Sequence, residues 1–205
     1  MDYTRVVYGS SNPEIVTSLK PDPAVKSVAL TFDDGPSRVL PEILDILKQE
    51  NVPAAFFWQT RLLHPERPWK RVLDEGHLIG THTVKHKNLT ALSYEEQYRD
   101  IRNSLSKISE ITGAKPIYFR PPFGQFNDGT LKAARELNLK TVMWRVASMD
   151  WELQKNPENL VTTVVDNLED GAIILLHELQ HTVQMLPKLI QAIREQGYTF
   201  KSLDA

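Results

Sequence analysis

Seven short apolar runs recur along this 205-residue chain, each bounded by turn residues. They are Val28–Phe32, Ala54–Trp58, Leu78–Thr81, Ile117–Arg120, Lys140–Arg145, Ala172–Leu176 and Tyr198–Lys201. Runs this short, with no polar face, are the signature of strands buried on both sides, as in a parallel sheet covered by helices. Segments with helical spacing lie between them. Pro41 stands in a first turn ahead of Ile43, Leu44, Ile46 and Leu47, a position where its missing N–H costs nothing. Ser93 and Glu96 make a capping box ahead of Tyr98, Ile101, Leu105 and Ile108, and Gly113 ends that helix. Asn156-Pro157 opens a helix containing Leu160, Val161, Val164 and Leu168, and a last helix runs roughly from Val183 to Gln196 and stops at Gly197. The alternation predicts an α/β fold and leaves open whether the sheet is a barrel or doubly wound. Residues 1–27 are polar and irregular, with Pro13, Pro21 and Pro23, and read as an arm leading into one domain over residues 28–205.

A formal net charge of −2 gives no basic field for nucleic acid or an anionic membrane. With no cysteine, disulfides, thiolate nucleophiles and thiolate-bound metals are excluded. No apolar run approaches the length of a membrane span. The opening MDYTRVVYGSSNP lacks the charged-then-apolar pattern of a signal peptide. Two expectations follow for location: a cytoplasmic protein, or an extracellular or cell-surface one whose export segment is absent from this chain. A monomer is assumed.

Chemistry-bearing residues gather where the apolar runs end, the edge at which α/β folds bind ligands. Asp33 and Asp34, in Thr-Phe-Asp-Asp-Gly-Pro, follow the first run. Adjacent carboxylates repel, and a metal on one of them offsets the repulsion; the plain alternative is a solvated turn. His82 and His86 follow the third run. If the backbone turns helically there, both imidazoles face one way, and with Asp34 they offer two nitrogens and a carboxylate, leaving a position open for water. Arg120 opens Arg-Pro-Pro-Phe-Gly, where a guanidinium can orient a carboxylate and the Phe123 amide can meet a developing oxyanion. Asp150-Trp151 follows the fifth run, and His177 leaves the sixth, placed to act as a general acid. His64, His77 and His181 have no such partners and read as ordinary structural histidines. Trp58, Trp69 and Trp151 offer faces for sugar rings, although burial is the commoner fate of tryptophan. The loops 60–67 and 125–129 are candidates for substrate selection.

His177-Glu178-Leu179-Gln180-His181 also spells the zinc-protease motif. That motif requires a helix through both histidines, whereas the apolar run ahead of His177 reads as a buried strand. Two histidines and a carboxylate are, further, the ligand set of non-haem iron oxygenases, but Asp33 and His177 would then be idle.

Taken together, the five clusters resemble the polysaccharide deacetylase family, also called the NodB homology domain or carbohydrate esterase family 4, in the family's order and over roughly Val28 to Leu203. The resemblance implies a distorted (β/α) barrel, here with about seven parallel strands. It implies that Asp34, His82 and His86 bind one divalent metal, usually zinc, with cobalt, manganese, nickel or iron as alternatives. It makes Asp33 the general base, oriented by Arg120, and His177 the general acid, supported by Asp150. Trp151 and Leu175 wall in the acetyl methyl, and the Phe123 amide binds the oxyanion. The implied reaction removes acetyl groups from N-acetylglucosamine units of peptidoglycan or chitin-type polymers. A weakly active or non-catalytic glycan-binding member, or an O-deacetylase of acetylated xylan, is the alternative. Ala147 stands where the family often has an additional Asp, and Phe123 where Tyr is more frequent.

Overall fold

The apolar runs become a parallel sheet. The computed structural model describes residues 6–20 and 22–204; residues 1–5, Pro21 and Ala205 lie outside these. Among the described residues the strands are β1 (Ile15–Val16), β2 (Ser27–Gly35), β3 (Ala54–Trp58), β4 (Leu78–Thr81), β5 (Tyr118–Phe119), β6 (Lys140–Val142), β7 (Val146–Ala147), β8 (Ile173–His177) and β9 (Thr199–Phe200). Their order is β1-β6-β5-β4-β3-β2-β8-β7, with β9 also beside β2. Every one of these pairings is parallel. Each predicted run coincides at least in part with one strand. The two further strands, β1 and β7, have two residues each and lie outside the seven runs.

The sheet is curled. β6 and β7 are separated in the chain only by Met143, Trp144 and Arg145, yet lie near opposite ends of the strand order. Three intervening residues reach at most about 14 Å, so the two ends must approach one another. The fold is therefore a distorted (β/α) barrel, not an open doubly wound sheet. The lead-in lines this seam. The N–H of Tyr8 donates to Arg145 O at 3.0 Å, that of Ala147 to Val6 O at 2.7 Å and that of Met143 to Val16 O at 2.8 Å. Val6, Ile15 and Leu19 are buried there, so a stretch that reads as a polar arm supplies part of the wall.

Among the described residues six α-helices cover the sheet: α1 (Leu40–Glu50), α2 (Trp69–Asp74), α3 (Tyr94–Thr112), α4 (Asp128–Glu136), α5 (Asn159–Val165) and α6 (Gln180–Glu195). α3 carries the predicted capping box and ends at left-handed Gly113. α5 opens three residues after Asn156 and ends before Leu168, while α6 opens three residues before Val183. α2 and α4 have no sequence-level expectation behind them: one is only six residues long, and the other starts at Asp128, capped by Asn127, inside the loop 125–129.

Side chains alternate across each strand, and the two faces carry different residues. On β2, Val28, Leu30 and Phe32 pack in the large outer cluster with Ile43, Leu44, Leu47 and Leu186, while Ala29 faces inward with Ala55 and Phe57. Thr31 and Asp33 share the inward face of Ala29. Polar groups at the strand ends therefore converge at one mouth of the barrel. No helix among the described residues is long and apolar enough to cross a membrane.

Candidate active site

At the end of β2 the ladder slips by one residue between Asp33 and Gly35. Asp34 takes up the slip with φ 68°, in the left-handed region. A bulge of this kind re-aims side chains, and it separates two adjacent carboxylates. Asp33 is buried at 3% exposure, whereas the Asp34 side chain is 38% exposed. Asp33 lies opposite Phe57 on β3 and His177 on β8.

Arg120, from the end of β5, is wholly buried. Its Nη1 donates to Asp33 Oδ1 at 2.7 Å and to Thr31 Oγ1 at 2.9 Å. Its Nε donates to Val142 O and its Nη2 to Met143 O. The guanidinium also lies 4.2 Å from the Phe57 ring centroid, a cation–π contact. Burial pulls this guanidinium below its ordinary pKa, and the Asp33 charge opposes that shift. A side chain this committed fixes the Asp33 carboxylate in one orientation.

His82, just past β4, holds Arg120 O through Nδ1 at 2.7 Å. Nδ1 is thus the protonated nitrogen, and the Nε2 lone pair faces the cleft. That Nε2 lies 3.7 Å from Asp34 Oδ1, and His86 Nε2 lies 3.4 Å from the same oxygen. The convergence does not come from a helical turn. Thr83 and His86 have φ of 70° and 56°, and the His86 N–H donates to Thr83 Oγ1. A tight left-handed turn brings the imidazoles together, their centroids 4.8 Å apart. Ligand atoms of Asp34, His82 and His86 all lie within 4.8 Å of one another, so the three could hold a metal ion. One carboxylate and two imidazoles, with one nitrogen oriented by a backbone carbonyl, suit zinc and its neighbours. Burial alone would raise the Asp34 pKa, but the imidazoles of His82, His177 and His86 hold it below its usual value. Burial, reinforced by His82, holds His86 below its ordinary value.

Asp34 Oδ2 faces the other way, 4.0 Å from His177 Nε2. Asp150, fully buried, grips His177 twice: Oδ1 pairs with the ring Nδ1 at 2.7 Å and Oδ2 accepts from the backbone N–H at 2.7 Å. Thr182 Oγ1 donates to the same Oδ2 at 2.8 Å. Burial would lower the imidazole, but the Asp150 hydrogen bond and charge outweigh it and push His177 up to about 9.

These groups open into a cleft of about 520 Å³. Leu175, Leu179, Trp151, Phe123, Trp144 and Tyr8 supply its apolar wall. Trp151 meets the His177 ring edge-on at 5.1 Å, and Phe123 meets His86 edge-on at 4.4 Å. Phe123 itself has φ 59°, and the turns around it use the N–H groups of Gly124 and Gln125 and leave its own aside. The structure thus gathers every site residue expected from sequence. Trp58 is instead buried, Trp69 is half-buried with Nε1 on Pro65 O, and the loops 60–67 and 125–129 give no residue to the cleft wall. Sequence reading misses Tyr8, Trp144, Leu179 and Gln59. Gln59 Nε2 donates to Asp34 Oδ1 at 2.7 Å; its place just past β3, at the ligand-binding edge, was the available signal. Among the other histidines, His64 is exposed, His77 accepts from the Ala54 N–H, and His181 Nε2 holds Asp150 O. The protease motif is divided between the end of β8 and the start of α6, so no single helix presents its two histidines.

The chain is similar to known proteins. The sequence pattern of the polysaccharide deacetylase family matches residues 20–142. A peptidoglycan-N-acetylglucosamine deacetylase of Bacillus cereus is 38% identical over 185 residues, spanning 85% of each chain. The peptidoglycan-N-acetylglucosamine deacetylase PgdA of Listeria monocytogenes is 36% identical over 182 residues, which are 87% of this chain and 38% of that protein. A CE4 family pseudoenzyme from Bacillus anthracis superposes with a TM-score of 0.84 at 29% identity, covering 94% of this chain and 68% of its own. With a family match over more than half its length and these relatives, the chain belongs to the polysaccharide deacetylase family.

Proposed function

We propose that this protein hydrolyses the acetamido group of N-acetylglucosamine units in a polysaccharide, peptidoglycan or a chitin-type polymer, releasing acetate and a free amine. The observation that carries this reading is the placement of Asp34. One of its oxygens faces His82 and His86, and the other faces His177. A metal-ligand set, a base and an acid thereby border one small volume.

A divalent metal held by Asp34, His82 and His86, zinc first among the candidates, would polarise the acetyl carbonyl and lower the pKa of a water beside it to roughly 7. Asp33 takes a proton from the attacking water, and Arg120 keeps its carboxylate aimed there. Attack on the carbonyl carbon moves the π electrons onto oxygen, where the Phe123 N–H can donate; one such donor is worth about 3 kcal/mol. His177 gives its proton to the departing nitrogen as the C–N bond breaks. Asp150 stabilises the imidazolium and holds it in place, as a buried carboxylate does for a catalytic histidine. Leu175 and Trp151 exclude water from around the acetyl methyl. The likeness to relatives acting on peptidoglycan supports a cell-surface location.

The test is acetate release, with zinc, cobalt or manganese added, on peptidoglycan, chitooligosaccharides, poly-N-acetylglucosamine and acetylxylan. Metal-dependent release from an N-acetylglucosamine polymer is expected. Release from acetylxylan alone would make the protein an O-deacetylase. Glycan binding without release over long incubation would place it with the pseudoenzymes.

A further inference from the structure

Glu178 is a buried carboxylate that the mechanism above does not use. It follows His177 directly, and because side chains alternate along a strand it turns away from the cleft that His177 faces. It is 5% exposed. Its Oε1 accepts from Trp58 Nε1 at 2.9 Å, and its Oε2 accepts from the Ser37 N–H at 2.6 Å. Its own N–H donates to the Asp33 carbonyl at 3.3 Å. Gly35 makes room for it, since a Cβ at that position would lie 1.7 Å from Oε1. Burial pushes this carboxyl up to about 7, against the lowering effect of its Ser37 and Trp58 hydrogen bonds. An apolar side chain would fill the space without that desolvation cost. What Glu178 adds is two directed bonds, one to the end of β3 and one to the segment leaving β2.

We propose that Glu178 is a positioning residue: it locks the Asp33–Ser37 segment against the ends of β3 and β8, and so fixes Asp33 and Asp34 relative to His177. The inference rests on the deacetylase reading for its catalytic consequence and on the Asp34, His82, His86 set for its effect on metal.

The test compares Glu178→Ala, Glu178→Gln and Trp58→Phe with the parent. Three quantities are read: zinc affinity by competition with a chromophoric chelator, thermal midpoint, and kcat and KM on an N-acetylglucosamine oligomer. Groups that orient metal ligands are typically worth about 10–100-fold in affinity or activity, and losses in that range are expected for Glu178→Ala in zinc affinity and in kcat, with KM little changed. Glu178→Gln, which keeps one acceptor, should fall between parent and alanine variant, as should Trp58→Phe. Lower thermal midpoints with parental zinc affinity and kcat would overturn the proposal and leave Glu178 a packing residue. If the alanine variant does not fold, parental zinc affinity and kcat in both other variants overturn it equally. If the parent itself releases no acetate, the deacetylase reading fails, and the zinc affinities still decide the role of Glu178.

Discussion

Asp33 and Arg120 form a buried pair in which each needs the other. Asp33→Asn keeps the size of the side chain but removes its charge and basicity. Acetate release is expected to fall by about 10²–10⁴-fold, the usual share of general acid–base catalysis, while zinc remains bound, because Asp34, His82 and His86 are untouched. Breaking a buried ion pair on one side typically costs about 3–5 kcal/mol, so the thermal midpoint should drop as well. Metal content by elemental analysis alongside an acetate assay checks both halves; full activity would remove Asp33 as the base. His177 has to carry its proton to serve as the acid, so activity is present below its pKa and is lost as pH rises through it. Asp150 holds that pKa up, at about 9. Asp150→Asn should therefore move the alkaline limb of the kcat/KM profile to lower pH, and an unmoved limb would dissociate Asp150 from His177. At this scale the sequence was highly legible, because Asp33, Asp34, His82, His86, Arg120 and His177 all stand where apolar runs end. Tyr8 and Trp144 were not, since an aromatic ring does not announce what it will face, and Gln59 was marked only by its place past β3.

Among the elements, α3 shows the closest agreement between local signals and structure. Ser93 accepts from the Glu96 N–H, and the Glu96 side chain accepts from the Ser93 N–H. Ser93→Ala should cost about 1 kcal/mol, or roughly 2–4 °C in the midpoint of a domain this size. The cap lies outside the cleft wall, so kcat should be unchanged; calorimetry and the acetate assay together check this. The turn carrying His82 and His86 shows where spacing misleads. Four residues of separation matched a helix, but Thr83 accepted a left-handed conformation and its hydroxyl caught the His86 N–H. β1 and β7 escaped notice for a related reason: unlike the equally short β5 and β9, they lie outside the apolar runs and acquire their strand character from the neighbours they pair with.

For the molecule as a whole, a ligand that binds only the folded state stabilises it by mass action. Zinc at about a hundred times its dissociation constant should add about 2.7 kcal/mol, visible as a rise in thermal midpoint. His82→Ala should abolish that rise, and its persistence would move the metal elsewhere. The alternation of strand and helix foretold the fold class, whereas closure into a barrel depended on the seam at Met143–Arg145, which no local pattern encodes. β2 carries a further consequence. One edge pairs with β3, some twenty residues on, but the other is closed by β8, and the bond from Thr31 to Ile174 spans 143 residues. On a ribosome adding about 5–20 residues per second, that interval lasts roughly 7–30 s. Throughout it, the strand bearing both aspartates lacks the neighbour that closes that edge. The growing chain thus carries an open strand edge beside Asp33 and Asp34, and the arrival of the His177 strand closes it.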